Sequence, residues 1–134
     1  MPTGPEIILT LKVLVAAVTV LFVASLVALA CGRRRLHGRI NTVFFVLTVA
    51  TVIGFEVFLQ FVDVTTAFDD AALRALRVHL YFAVPSALLL PVMLVTGRSG
   101  WKTAHVAFGA AFGIMWAGTF VTGVFFLPHT GGAP

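Results

Sequence analysis

Four histidines and one carboxylate, Glu56, are the side chains of this sequence whose type and position suit chemistry. His37 and His105 each follow a basic turn, Arg33-Arg34-Arg35 and Gly97-Arg98-Ser99-Gly100-Trp101-Lys102, and each stands at the start of an apolar run. His79 stands near the start of another such run, and His129 follows Pro128 beyond the end of the last. Neutral imidazole is the commonest metal ligand and an axial ligand to haem, so histidines paired at either end of a helical bundle could hold a metal or a haem there. Two haems placed in this way would carry electrons from one side of the bundle to the other. The candidate haem ligands are His37, His79 and His105, the candidate metal set is His79, His105 and Glu56, and haem b or copper is the cofactor in view. The competing reading places these histidines at wet interfaces, where they need no cofactor.

Glu56 lies inside an apolar run, where an ionised group costs about 2.5 to 3.5 kcal/mol unless it is paired or solvated. Glu56, Gln60 and Asp63 are spaced i, i+4, i+7 and share one helical face, which must look into the bundle or toward water. One role for the carboxylate is to handle protons or face a metal. The other is a structural ion pair with Lys12, Arg74, Arg77 or His79, or a contact with another subunit. No nucleophile stands with a base, and the CxxCH, HExxH and CxxC patterns are absent, which leaves hydrolysis, covalent haem attachment and common zinc sites unsupported. The chain is not expected to be an enzyme.

The elements that must position these residues are helices. Of the 134 residues 60% are hydrophobic and 10% charged, with a mean hydropathy of +1.06, whereas soluble domains carry about 25% charged residues. An all-α integral membrane four-helix bundle follows, a single transmembrane domain over residues 1–134 with spans at about 7–30, 40–62, 78–96 and 103–127. No basic residue precedes the first run, so it is expected to remain as a helix rather than be cleaved. Residues 69–77 begin acidic and end basic and are expected as a short interfacial helix, and Pro85 and Pro91 are expected to kink the third span. Cys31 is the sole cysteine and forms no internal disulfide. The sequence pI near 10.3 does not signal nucleic acid, because the basic residues cluster beside apolar runs and act as topology signals. With both termini on the outer side, Arg33, Arg34, Arg35, Arg39, Arg98 and Lys102 fall in the cytoplasm and only Lys12, Arg74 and Arg77 outside, the bias that retains basic loops inside.

Gly109, Gly113 and Ala117 recur every four residues in the fourth span, a ladder of small residues suited to close helix packing. No strong internal repeat is evident, although the two basic turns are loosely similar, each followed by a histidine at a helix start. The pattern Leu36-His37-Gly38-Arg39, His79, Lys102 with His105, and Thr122-Gly123-Val124 resembles the CtaM-type (YozB-like) family of small four-helix bacterial membrane proteins, over about residues 33–127. Gly38 interrupts that family's first motif, Val106-Ala107 stand in place of the arginines of its last, and Gln60 stands where members tend to carry a histidine. The resemblance implies a multi-pass protein of the bacterial cytoplasmic membrane that serves a haem-copper terminal oxidase of the respiratory chain, as assembly factor or small accessory subunit, through cofactor insertion or subunit assembly. Its partners would be lipid and the subunits of a respiratory complex. The alternatives are a b-type haem electron carrier and a purely structural helix-packing subunit.

Overall fold

The computed structural model describes residues 4–61 and 68–127, so Asp63 and His129 lie outside the described residues. Four helices, α1 Gly4–Ala30, α2 Arg34–Leu59, α3 Asp70–Arg98 and α4 Lys102–Val121, are joined in chain order, and α4 runs on into a π-helical turn, Thr122–Phe126. All four are long and apolar enough to cross a membrane, as suits a multi-pass membrane protein. Large apolar side chains such as Val20, Leu88 and Ile114 point outward and are more than two-thirds exposed, the surface a hydrocarbon solvent would cover.

Two helices begin earlier than their hydropathy suggests. The second starts at Arg34 rather than Ile40, inside the arginine cluster, because the turn before it is short. Gly32 takes a positive φ of 73°, its N–H bonds the Leu29 carbonyl at 2.9 Å, and the Arg33 N–H reaches the Ala28 carbonyl at 2.8 Å, a Schellman closure that ends α1 and restarts the chain within three residues. The third starts at Asp70, so residues 69–77 are the first turns of α3 and not a separate interfacial helix. Asp69 caps them by accepting the Ala72 N–H at 2.7 Å. Leu73, Ala75 and Leu76 then pack on the cluster of Ile7, Ile8, Phe68, Ala72 and Leu127, which carries the helix into the bundle without a break. Pro85 and Pro91 both lie within the continuous α3.

α1 packs along α2, and α3 along α4. The two hairpins meet where α2 touches α3 and where α1 touches α4 and its π-helical turn. The helices therefore run round the bundle in chain order, and α2 and α4 stand diagonally across it.

These hairpins repeat one another at an offset of 68 positions. Gly32 and Gly100 carry φ of 73° and 71°. The residues after them, Arg33 and Trp101, cap α2 and α4 with φ,ψ of −84°, 65° and −77°, 71°. The Trp101 N–H reaches the Thr96 carbonyl at 3.1 Å, as Arg33 reaches Ala28. His37 and His105 follow in the first turns of α2 and α4, and Phe44 and Phe112, 3% and 2% exposed, come two turns later. The repeat, only loosely visible in the sequence, is thus explicit in the backbone. Both hairpins present their turns at the same end of the bundle, where Arg33, Arg34, Arg35, Arg39, Arg98 and Lys102 gather.

Within one copy of the chain the small-residue ladder is used in part. A Cβ at Gly109 would come within 3.3 Å of Met93 Cε, but one at Gly113 would meet nothing within 4 Å, and Ala117 is exposed. The closest approach falls one position later, at Gly118, where a Cβ would overlap the Phe82 ring. Gly118→Ala is therefore expected to destabilise the α3–α4 hairpin by about 1 to 3 kcal/mol through overpacking, read as an earlier thermal transition of the detergent-solubilised protein, whereas Gly113→Ala leaves the transition in place.

Candidate functional site

Between the diagonal helices α2 and α4, at the basic end, lies a cavity of about 1180 Å³, somewhat above the range of about 300 to 1,000 Å³ typical of small-molecule sites. Its floor is aromatic and aliphatic: Phe22, Phe44, Phe112 and Leu90. Phe44 and Phe112 meet edge to face with centroids 6.0 Å apart, and Trp116 stacks on Phe112 below, its Nε1–H donated to Thr19 Oγ1 at 3.1 Å. At its mouth stand Arg34, Arg35, Arg39, Arg98 and Lys102. The N-termini of α2 and α4 lie at the same end and add their positive dipole ends to these five cations. His37 and His105 line the cavity from opposite helices.

The hydrogen bonds place a proton on Nδ1 of each ring. Ser25, fully buried, donates its hydroxyl to Asn41 Oδ1 at 2.5 Å. Ser25 Oγ must then accept from His37, whose Nδ1 lies 2.7 Å from that hydroxyl and 3.0 Å from the Ser25 carbonyl. A carbonyl only accepts, so Nδ1 carries the proton and Nε2 carries a lone pair. Asn41 Nδ2 donates to that Nε2 at 3.0 Å and closes the circuit. His105 repeats the first half of this arrangement. Its Nδ1 donates to the Met93 carbonyl at 3.1 Å and to Thr96 Oγ1 at 3.2 Å, the Thr96 hydroxyl itself being donated to Val92 O at 2.8 Å. The acceptors, Ser25 and Met93, each stand twelve residues before their histidine, as the repeat requires. Among the described residues no hydrogen bond reaches Nε2 of His105.

The ring centroids of His37 and His105 are 6.5 Å apart and their planes are inclined at 81°. Imidazoles bound on opposite sides of one metal ion at about 2 Å, with each ring centre about 1 Å beyond its nitrogen, have centroids about 6 Å apart. A backbone carbonyl on Nδ1 is the outer-shell partner that orients a ligating histidine and raises its basicity. Among the described residues no third His, Cys, Asp or Glu joins them, so an ion held here would have the two imidazoles and no further side-chain ligand of those types. Such a pair suits a metal that brings its own equatorial ligands. A haem does, and its other demands, an apolar bed for the macrocycle and cations for two carboxylates, are met by the floor and the mouth of this cavity.

The other candidates lie elsewhere. His79 is in α3 near the far end, with Nδ1 3.1 Å from Thr122 Oγ1 and its ring against Gly123, where a Cβ would come within 2.9 Å of Cε1. Thr122 is 17 residues beyond His105 along α4, about 25 Å at 1.5 Å per residue, so His79 and His105 share no ion. Glu56 is exposed near the end of α2 away from the cavity and joins neither histidine. The structure thus brings together His37 and His105, and separates both from His79 and from Glu56. The residues sequence reasoning missed are Ser25, Asn41, Met93 and Thr96, which orient the rings, and the phenylalanine floor. Their one signal is the 68-residue offset, visible as His37 and Phe44 against His105 and Phe112 with the same interval between them.

No protein-family model, no curated protein and no solved structure matches the chain.

Proposed function

We propose that this protein binds a b-type haem between α2 and α4, with His37 and His105 as its two axial ligands, and that it handles this haem for a respiratory complex of the bacterial cytoplasmic membrane. The observation that carries the reading is the pair of imidazoles 6.5 Å apart across the cavity, each with its Nδ1 proton donated to a carbonyl of its own hairpin. Bound haem supplies a one-electron redox centre. The protein's part is to present two Nε2 lone pairs from one tautomer each, to keep water from the macrocycle with Phe22, Phe44, Leu90 and Phe112, and to hold the carboxylates at the mouth with Arg98, Lys102 and the arginines of α2. The resemblance to CtaM-type proteins supports the setting, service to a haem-copper terminal oxidase as assembly factor or accessory subunit, with the basic end in the cytoplasm and both termini outside. In this role the chain is a carrier and not an enzyme.

The test is an oxidised and dithionite-reduced absorption spectrum, with iron and copper analysis, on protein purified gently from its native membrane and on the same protein after addition of haemin. About one iron per chain and the sharp reduced bands of a bis-imidazole haem are expected. A protein that stays colourless and metal-free after haemin is added overturns the reading. Copper without iron replaces it with a copper-handling one.

A further inference from the structure

The repeat makes the two histidines equivalent in backbone but not in the state of their free nitrogens. His37 Nε2 accepts the Asn41 amide at 3.0 Å, and Asn41 is held in that pose because Ser25, fully buried, donates to its carbonyl oxygen. At the equivalent position, four residues after His105, stands Gly109, with no side chain to donate. Both residues line the same cavity. One nitrogen is therefore covered by a donor that any ligand must displace, and the other carries no hydrogen bond among the described residues, its ring lying against Gly97.

We propose that Asn41 is a displaceable cap on His37, so that haem is taken first by His105 and then, reversibly, by His37. The inference rests on the haem reading above and adds to it a direction of loading and a means of release. The exchange balances without a proton. Nε2 of His37 accepts the Asn41 amide and so is already unprotonated, Nδ1 keeps its proton on Ser25, and the lone pair would be freed for a bound haem when Asn41 turns away. A neutral hydrogen bond contributes modestly, so the cap biases the second ligation by about three- to tenfold without preventing it.

Asn41→Leu tests this, because it removes the donor while keeping the side chain's size, and Asn41→Gly copies the second hairpin and serves should the first variant fold poorly. Both are loaded with haemin in detergent, their ligation state is read from the absorption and electron paramagnetic resonance spectra, and haem loss is timed by transfer to excess apomyoglobin. The wild type is expected to show a bis-imidazole haem with a minor five-coordinate fraction, and the variants a wholly six-coordinate low-spin haem lost about three- to tenfold more slowly. Ser25→Ala, which frees Asn41 from its pose, is expected to move the same way by a smaller factor. Spectra and loss rates equal to wild type in both Asn41 variants, with ligation still lost in His105→Ala, overturn the cap and leave the haem site standing. Haem signals that survive in His37→Ala and His105→Ala alike overturn the haem reading itself, and the cap with it.

Discussion

In protein loaded with haemin, His105→Ala is expected to weaken haem binding at least about a hundredfold and abolish the bis-imidazole spectrum, while His79→Ala leaves both unchanged. The magnitude follows from what the substitution removes. Loss of an outer-shell partner alone commonly lowers metal affinity by about 10- to 100-fold, and His105 is a ligand whose Nε2 has no competing hydrogen bond among the described residues. His37→Ala is expected to be milder, leaving a five-coordinate haem on His105 and a correspondingly broadened reduced spectrum. The contrast with His79 is the informative part. All three residues are histidines at the ends of apolar helices, and a general preference of histidine for wet interfaces predicts no difference among them. The difference comes from geometry: His79, on α3, has its ring against Gly123 and its Nδ1 on Thr122, which lies about 25 Å beyond His105 along the last helix. Equal losses in all three variants, measured by haem titration and reduced-minus-oxidised spectra, would point to a folding effect and not to ligation.

The helical class, the four spans and the gathering of basic residues at one end were legible in the sequence because hydropathy and charge are summed over many residues, and no single neighbour can overturn them. Boundaries were less so. Hydropathy marks where a run becomes apolar, but Gly32 and Asp69 decide where a helix starts, and both placed polar residues inside helices that had been expected to begin later. The pairing of His37 with His105 was only half visible. Their common place after a basic turn could be read, but not that the helices bearing them are diagonal, since chain order round a bundle is a tertiary fact. Ser25 and Asn41 gave no signal beyond the offset between the hairpins. A serine in the last turns of one span and an asparagine early in the next read as ordinary interfacial polarity until the hairpin closes and puts a histidine between them. Glu56 misled for the opposite reason. A lone carboxylate in an apolar run invites a functional role, but Glu56 is exposed 11 residues beyond Phe45, the last cavity-lining residue of α2, about 16 Å further along the helix and out of reach of either histidine.

The second large effect is electrostatic, and it discriminates a haem from any neutral occupant of the same cavity. Reversing two of the five cations at the mouth, in the double variant Arg98→Glu with Lys102→Glu, is expected to weaken haemin binding by about 10- to 100-fold at low salt and to leave the binding of haem dimethyl ester, which has no carboxylates, nearly unchanged. Charge-assisted hydrogen bonds contribute about 1.5 to 3 kcal/mol each where water is excluded, but these side chains are exposed, so the lower part of that range applies and the effect shrinks as salt shortens the screening length to about 10 Å at 0.1 M. The choice of residues keeps topology out of the comparison. Arg33, Arg34, Arg35 and Arg39 remain at the first turn, so that end of the bundle keeps four basic residues against Lys12, Arg74 and Arg77 at the other. His37 and His105 are untouched, so the spectrum of whatever haem does bind stays that of a bis-imidazole complex, and a changed spectrum would mean that the mouth had been distorted. If haemin and its ester lose affinity equally, the cations are not holding carboxylates, and the positive end of the bundle serves membrane topology alone.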